Sequence, residues 1–207
     1  ELLKPNPEAS EGWEVKKFNE VCWFQEGPGL RNWQFTKRGI KVINVTNLES
    51  SGYLNLDRTD RHISIDEFQK MYKHFEIDEN DIVVASSGNS YSKVALVRKQ
   101  DLPLLMNTSV IRFKPLDNID YNFLFTFLRS KSFKEQIDLL ITGGAQPNFG
   151  PFHLNKLLIN IPKERKEQTR IATILSDMDE EIAQLEIKLE KAKQLKQGMM
   201  QELLTGR

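Results

Sequence analysis

The chain has 207 residues, enough for one or two domains, and its 29 basic and 29 acidic residues give a formal net charge of zero. Hydrophobic residues make up 39% and charged residues 28%, which predicts a substantial core. No apolar run reaches the roughly 18 to 20 residues of a membrane-spanning helix, and the balanced charge argues against a freestanding nucleic-acid binder that depends on a basic excess. Cys22 is the single cysteine, which excludes an intrachain disulfide and fits a reducing cytoplasm.

Residues 1–11 contain two prolines, mixed charges and no periodicity, and we expect them to form a tail. From residue 12 to residue 161, short β-branched runs alternate with helical patterns, which predicts one mixed α/β (α+β) domain. The β-branched runs are bounded by Gly, Asn, Asp or Ser and predict strands at residues 41–45, 82–85, 93–97 and 110–113. Residues 86–92 form a connection longer than a tight turn, which predicts a hairpin with an exposed tip.

Three short helices have recognisable start signals. Ser64 and Glu67 match a capping box, in which the serine oxygen and the glutamate carboxylate satisfy two backbone amides. Ser132 and Glu135 repeat this pattern before a predicted helix at residues 136–140. Asp120 is the predicted N-cap of residues 121–128, whose aromatic side chains we expect to be buried.

Residues 163–204 predict one long helix, because they contain no proline and a single interior glycine. Pro162 suits its first turn, and Glu164 and Glu167 suit the positive end of the helix dipole. At about 1.5 Å per residue, such a helix is roughly 60 Å long. Apolar residues recur at alternating steps of four and three, with Lys196 as the one interruption, and they form a heptad stripe of Ile171, Leu175, Met178, Ile182, Leu185, Leu189, Ala192, Met199 and Leu203.

This apolar stripe is too long to be buried on a domain of this size. The helix therefore needs a second long helix, from a partner chain or from another part of the same protein. The pattern predicts a coiled coil.

Motifs for catalysis and metal binding are absent from the sequence. There is no phosphate-binding Gly-x-x-x-x-Gly-Lys loop and no Gly-x-Ser-x-Gly nucleophile elbow. His62, His74 and His153 are scattered, without a cysteine or carboxylate at metal-ligand spacing, and we expect structural or surface roles for them. The sequence predicts a protein without a catalytic site, a metal site or a cofactor of its own.

Three polar loops contain side chains suited to DNA contacts, since Arg favours guanine, Asn and Gln favour adenine, and hydroxyls and Lys bind phosphates. The first loop contributes Arg31, Asn32, Trp33, Gln34, Lys37 and Arg38. The second contributes Ser86, Ser87, Asn89, Ser90, Tyr91 and Lys93. The third, at residues 142–150, contributes Gln146 and Asn148.

Each loop also fits an ordinary turn, and Trp33 fits a core position as well as it fits a DNA contact. Gln146 and Asn148 are equally suited to satisfying local backbone groups. These residues alone leave two interpretations open, a coiled-coil adaptor and a DNA-recognition protein.

The order of the motifs resembles that of a known family. The motifs are "GWEVKKFNEV" at residues 12–21, "GIKVINVTNL" at residues 39–48, "DIVVASSGNSYSKVALV" at residues 81–97 and "GGAQPNF" at residues 143–149, followed by the long helix with Gln168-Thr-Arg-Ile-Ala and its terminal Lys-Gln-Gly-Met-Met-Gln-Glu-Leu-Leu-Thr-Gly. In this order they resemble the DNA-specificity subunit of type I restriction–modification enzymes.

The resemblance implies that residues 12–161 are a target-recognition domain that reads base pairs in the major groove. It implies that residues 162–207 are the conserved helix that separates recognition domains and docks methyltransferase subunits, which bind S-adenosylmethionine, with restriction subunits joining through the complex. It also implies that Gln146 and Asn148, in a stretch shared by members of differing specificity, are structural residues or phosphate ligands. The residues that read bases are then expected in the first two loops.

The usual member of this family has two recognition domains and two helices, whereas this chain has one of each. If it acts as a half-length subunit, two copies are expected to pair through the apolar stripe as an antiparallel coiled coil. Such a homodimer would recognise an interrupted palindrome of double-stranded DNA. The main alternative is a coiled-coil adaptor whose domain binds protein, and a second is a recognition module of another restriction system.

Overall fold

The computed structural model describes residues 11–141 and 147–206. A mixed α/β domain is followed by one long helix, as the sequence predicts. The strands are β1 (Trp13–Lys17), β2 (Cys22–Glu26), β3 (Ile40–Ile43), β4 (His62–Ile63), β5 (Ile82–Ala85), β6 (Val94–Leu96), β7 (Leu104–Met106), β8 (Val110–Pro115) and β9 (Leu158–Pro162). The helices are α1 (Ile65–Glu67), which continues as a π-helical segment (Phe68–Tyr72), then α2 (Tyr121–Arg129), α3 (Lys131–Leu140), α4 (Pro151–Leu154) and α5 (Arg165–Thr205).

The centre of the domain is a four-stranded antiparallel sheet in the order β2-β8-β5-β6. All four residues of β5 are buried because the sheet is covered on both faces. Ile82 and Val84 belong to a core that contains the phenylalanines of α2 and α3, whereas Val83 and Ala85 belong to a second core with residues of β3 and β7. A three-stranded sheet, β4-β3-β7, contributes to this second core. The predicted hairpin between β5 and β6 is confirmed.

A buried ion pair lies where β5 and β8 are joined. Arg112 is 7% exposed, and Asp81 is 2% exposed. The guanidinium donates to Asp81 Oδ2 at 3.3 Å and to Gln25 Oε1 at 3.0 Å, and it lies 5.0 Å from the centre of the Trp23 ring. Burial raises the pKa of Asp81, although a hydrogen bond from the Asp78 backbone and the charges of Lys114 and Arg112 act in the opposite direction. The Arg112 guanidinium therefore contacts Asp81, Gln25 and Trp23 at the same time.

The helix starts confirm the predicted N-cap at Asp120 and the serine half of the capping box at Ser64, whose Glu67 carboxylate accepts from Gln34 Nε2, and they correct a third prediction. Ser64 Oγ accepts from Glu67 N at 3.2 Å, and Asp120 Oδ1 accepts from Phe123 N at 3.0 Å. The predicted cap at Ser132 is wrong, because Ser132 is buried in the first turn of α3. Ser130 caps α3 instead by accepting from Phe133 N at 3.2 Å, and its hydroxyl also donates to Phe127 O at the end of α2.

Strands β1 and β9 join the two ends of the domain. They pair antiparallel from Trp13↔Pro162 to Lys17↔Leu158, and Lys163 N donates to Gly12 O at 3.0 Å. Pro162 therefore ends β9, and its predicted place in the first helical turn is wrong. The long helix α5 begins at Arg165, after the N-cap Glu164.

The first turns of α5 are tied to the domain. Gln168 is 2% exposed, and its amide accepts from Asp120 N at 2.7 Å and donates to Pro162 O at 2.8 Å. Thr169 Oγ1 donates to Asp120 Oδ2 at 3.0 Å, and Ala172 belongs to the main core. Two turns later, Arg129 of α2 forms an ion pair with Asp179 at 3.0 Å.

Beyond Asp179 the helix extends away from the domain, and its apolar stripe is exposed. At its 41 residues, α5 is about 60 Å long. Ile171 and Leu175 are half-buried against the domain. The large side chains of the stripe that follow are all more than half exposed, at 54% for Met178, 52% for Ile182, 54% for Leu185, 55% for Leu189, 52% for Met199 and 74% for Leu203. Among the described residues, none covers this stripe, and no helix is apolar enough over sufficient length to cross a membrane.

Candidate nucleic-acid interface

Several loops meet at one end of the four-stranded sheet. The strand register places Glu26 opposite Ile111 and Ala85 opposite Val110. Because neighbouring strands are antiparallel, the chain leaves β2 and β5, and enters β8, at this same end. We call this end the loop edge; it comprises residues 86–93, 107–109 and 147–150, together with the segment 27–38, which starts there at Gly27 and runs to the start of β3.

Backbone hydrogen bonds hold the loop edge together. Gly27 N donates to Val110 O at 3.1 Å, and Ser86 N donates to Ser109 O at 2.8 Å. A Cβ on Gly27 would lie 2.3 Å from the carbonyl oxygen of Asn107, so the close approach of these two segments requires glycine. Phe149 N donates to Ser86 O at 3.0 Å, which brings residues 147–150 against the β5–β6 hairpin. The edge is therefore a defined surface, although it is built from loops.

The first predicted loop is exposed at all but one of its candidate residues. Asn32–Gln34 form a single 3₁₀ turn, and the side chains of Arg31, Asn32, Trp33, Lys37 and Arg38 face solvent. Gln34 is only 6% exposed. Its amide nitrogen donates to Glu67 Oε1 and to Tyr72 Oη at 2.9 Å, and its oxygen accepts from Arg31 N at 2.7 Å. Gln34 is thus an anchor of the turn, and we remove it from the candidate base contacts.

The second predicted loop divides in a similar way. Asn89 is exposed and Ser87 and Ser90 are half-buried, whereas Ser86 is fully buried and cannot reach a ligand on the surface. Tyr91 faces α3, where its hydroxyl donates to Asp138 and accepts from Lys134. We therefore remove Ser86 from the candidate contacts and regard Tyr91 as a link to α3.

Lys93 lies near an acidic side chain. The pKa of Glu49 is lowered by a hydrogen bond from Arg58 and, more weakly, by a hydrogen bond from Asn55 and by the charge of Lys93. Part of the charge of Lys93 is consequently compensated within the domain. Lys93 is a weaker candidate phosphate ligand than Lys37.

The third predicted stretch is partly described. Gln146 lies outside the described residues. Asn148 is exposed and forms an antiparallel β-bridge with Ser87, and Gly88 N donates to Pro147 O at 3.1 Å. The exposed side chain of Asn148 therefore lies beside the hairpin tip, on the same edge as the other two loops.

Two residues of this edge were not among the sequence candidates. Thr108 is exposed in the short turn before β8, and its hydroxyl donates to Glu26 Oε1 at 3.3 Å. Burial raises the pKa of Glu26, and the hydrogen bond from Thr108 opposes this rise. A carboxylate in this position has the chemistry to accept a hydrogen bond from the amino group of cytosine. The only sequence signal was the polar Asn-Thr-Ser turn at residues 107–109.

The first loop carries positive charge that no nearby carboxylate in the sequence neutralises. Residues 27–48 contain Arg31, Lys37, Arg38 and Lys41 and no acidic residue. Within the described parts of the chain, the side chains of Arg31, Lys37 and Arg38 have no ion pair. By contrast, carboxylates bind Arg58, Arg98, Arg112 and Arg129. Cations without a carboxylate partner are available for phosphates and for guanine.

The loop edge presents hydrogen-bonding groups and cations, and its described residues do not form a metal site. In residues 11–141 and 147–206, no group of three or more His, Cys, Asp and Glu side chains could hold a metal ion. The chemistry that the loop edge supports is the binding of a polyanion that presents hydrogen-bonding groups.

Comparison with known proteins identifies the family. The family model described as type I restriction modification DNA specificity domain matches residues 10–196. The type I restriction enzyme MjaVIII specificity subunit of Methanocaldococcus jannaschii is 27% identical over 204 residues, which are 97% of this chain and 47% of that protein. The type I restriction enzyme EcoAI specificity subunit of Escherichia coli is 27% identical over 191 residues, which are 90% of this chain and 32% of that protein. The chain thus spans about half and about a third of the length of these relatives.

The solved structures agree on the fold. The crystal structure of the HsdS subunit from Thermoanaerobacter tengcongensis superposes with a TM-score of 0.64 and 17% identity, over 87% of this chain and 41% of that chain. The match of the family model covers most of both the domain and the long helix. The chain belongs to the family of type I restriction–modification DNA specificity domains.

Proposed function

We propose that the chain is the sequence-specific DNA-recognition subunit of a type I restriction–modification system and that its loop edge lies in the major groove. The main support is the match to the family of DNA specificity domains, together with the exposed cations Arg31, Lys37 and Arg38 on the segment that follows β2 and the exposed amides of Asn89 and Asn148 on the loop edge. The chain itself is non-catalytic in this proposal. Methyltransferase subunits bind S-adenosylmethionine and perform the methylation, restriction subunits join through the complex, and the assembly acts on cytoplasmic DNA.

The side chains of the loop edge divide by chemistry. Arg31 has the forked donors that match guanine, and Asn32, Asn89 and Asn148 have the paired donor and acceptor that match adenine. Lys37 and Arg38 supply positive charge for phosphates, which positions the domain without selecting a sequence. Base pairs are thus read by a few exposed side chains that a rigid sheet presents.

We assign residues 12–161 to target recognition and residues 162–207 to assembly. Six residues of the apolar stripe, beginning with Met178, are more than half exposed on a helix that has left its domain. An apolar surface of this length requires a second helix. We propose that two copies pair antiparallel through the stripe, so that a two-fold axis relates the two loop edges. The bound DNA would then be an interrupted palindrome.

Replacing Arg31 with alanine is expected to abolish discrimination at one base pair. The loss is about 1–3 kcal/mol between the preferred base and its alternatives, since the bidentate contact to guanine is removed. Selection from random-sequence duplexes with the complex of this chain and its methyltransferase subunits first gives the site. Binding to every single-base mismatch of that site, at one fixed salt concentration, then gives the effect of the substitution.

Two controls distinguish base contacts from charge. Lys37→Ala is expected to weaken binding to all duplexes alike and to reduce the salt dependence. Arg165→Ala is expected to leave binding unchanged, because Arg165 donates to Asp117 O at the opposite end of the four-stranded sheet. Uniform weakening by Arg31→Ala would contradict its role in base recognition. If no sequence is selected at all, the coiled-coil adaptor becomes the better explanation.

Insertion of one heptad into α5 between Ile182 and Leu189 is expected to lengthen the preferred spacer. The stripe keeps its register, and each helix grows by about 10 Å, or about three base pairs at roughly 3.4 Å each. The bases recognised in each half-site should not change. The total affinity should fall, because the two half-sites also rotate relative to each other about the DNA axis. The same seven residues inserted after Thr205, beyond the stripe, serve as the control. An unchanged spacer in the lengthened protein would refute the antiparallel arrangement.

A further inference from the structure

Trp33 is the most exposed large hydrophobic side chain among the described residues, at 81%. Its neighbours on both sides are anchored. Leu30 and Phe35 pack against a buried cluster that contains Ile40, Ile63 and Phe68. The indole therefore faces solvent although apolar surface is available close by along the chain. This leaves a large aromatic surface available to a ligand, and covering that surface would be favourable.

The turn that carries Trp33 is held in place. Gln34, the next residue, uses its amide for three hydrogen bonds, to Glu67, to Tyr72 and from the Arg31 backbone. Gln34 N also donates to Arg31 O at 3.0 Å, which closes the turn. The backbone that carries Trp33 is consequently held in place, so that covering the indole costs mainly the conformational entropy of its own side chain.

The surroundings of Trp33 favour a nucleic acid as the ligand. Arg31, Lys37 and Arg38 lie within five residues of it and have no ion pair within the described chain. No acidic residue occurs between Glu26 and Glu49. A protein partner with a neutral apolar pocket would have to bury or displace these cations, whereas a duplex pairs them with phosphates.

We infer that Trp33 is a specificity-determining residue that recognises thymine through its 5-methyl group; this inference rests on the proposed function. In an intact duplex the base faces are covered by stacking. The thymine methyl is the one apolar group among the base-edge features that distinguish base pairs in the major groove. Arg31 and Asn32 suit the polar edges of guanine and adenine, and an indole between such side chains suits that methyl group. Gln34 is the positioning residue that directs the indole outward.

The test uses the complex of this chain with its methyltransferase subunits and the duplex obtained by selection. Each thymine of one half-site is replaced in turn by deoxyuridine, which removes only the methyl group. At one position we expect about fourfold weaker binding by the unsubstituted protein. Trp33→Ala should bind the thymine duplex roughly tenfold more weakly, and it should bind the thymine and deoxyuridine duplexes at that position equally. Leu116→Ala, an exposed apolar residue after the far end of β8, should behave like the unsubstituted protein.

The role of Gln34 is tested by exchanging charges. Gln34→Glu places a second carboxylate against Glu67 and should displace the turn, so the preference for thymine over deoxyuridine is lost. The double substitution Gln34→Glu and Glu67→Gln restores a donor opposite an acceptor and should restore the preference. A general loss of stability alone would reduce binding to both duplexes without changing their ratio.

The outcomes separate the inference from the proposed function. A selected site with no thymine, or equal binding to thymine and deoxyuridine at every position, overturns the role of Trp33 and leaves DNA recognition intact. Full affinity in Trp33→Ala overturns it as well. If no sequence is selected, both the proposed function and this inference fail.

Discussion

Replacing Leu189 with aspartate is expected to convert the proposed dimer into a monomer. In an antiparallel pair related by a two-fold axis, the substitution places two carboxylates in the apolar contact between the helices. An uncompensated charge in such a position costs roughly 3–5 kcal/mol, so the dissociation constant of the dimer should rise by at least about a hundredfold. Sedimentation equilibrium over a range of concentrations measures this change directly.

Ile187→Asp is the matched control on the same helix. Ile187 is 58% exposed and Leu189 is 55% exposed, so both substitutions change surface residues of similar size. They are two positions apart, and a step of about 200° around the helix places Ile187 on the face opposite the stripe. The control should therefore remain dimeric. Dimers that survive Leu189→Asp, or equal effects of both substitutions, would exclude pairing through the stripe.

Replacing Arg112 with alanine is expected to lower the free energy of unfolding by about 3–5 kcal/mol, the cost of breaking a buried ion pair. The substitution leaves Asp81 buried without its guanidinium partner and removes the hydrogen bond to Gln25. It also removes the cation from the Trp23 ring. The Lys114 ammonium still lies 3.3 Å from Asp81 Oδ1 and compensates part of its charge. We therefore expect a loss of stability near the lower end of that range. Urea denaturation followed by tryptophan fluorescence measures the loss.

Two further variants test the cause of this loss. The double substitution Arg112→Met and Asp81→Leu removes both charges and should recover much of the stability, because a buried pair replaced by apolar side chains is often neutral. Arg129→Ala breaks a partly exposed ion pair with Asp179 and should cost far less. If Arg112→Ala is no more destabilising than Arg129→Ala, the buried pair is not important for stability.

Local patterns in the sequence predicted the elements that depend on local interactions. Strand β5 has the predicted bounds because a run of β-branched residues between polar turns is a local signal. The caps at Ser64 and Asp120 depend on residues three positions away, and both are present. The predicted cap at Ser132 failed because Ser130 offers the same chemistry two residues earlier and also closes the preceding helix.

The features that sequence patterns missed depend on distant partners. Strands β1 and β9 come from opposite ends of the domain and define each other only by pairing. Gln34 has the chemistry of an adenine ligand, but its partners Glu67 and Tyr72 belong to a later helix, and they bury it. The loop edge itself follows from the strand register, which brings Glu26 and the turn with Thr108 to the end of the sheet where the β5–β6 hairpin with Asn89 begins. The residue types predicted which side chains could contact DNA, but they did not predict where those side chains lie in the fold.

The attachment of α5 has a mechanical consequence. Strand β9 runs into the helix after only Lys163 and Glu164, and Gln168 ties the helix both to β9 and to the start of α2. The joint has no free linker, so the helix acts as a lever fixed to the domain. A tilt imposed on its far end would turn the domain as well. A partner that bound the helix would therefore transmit torque to loops that it does not touch.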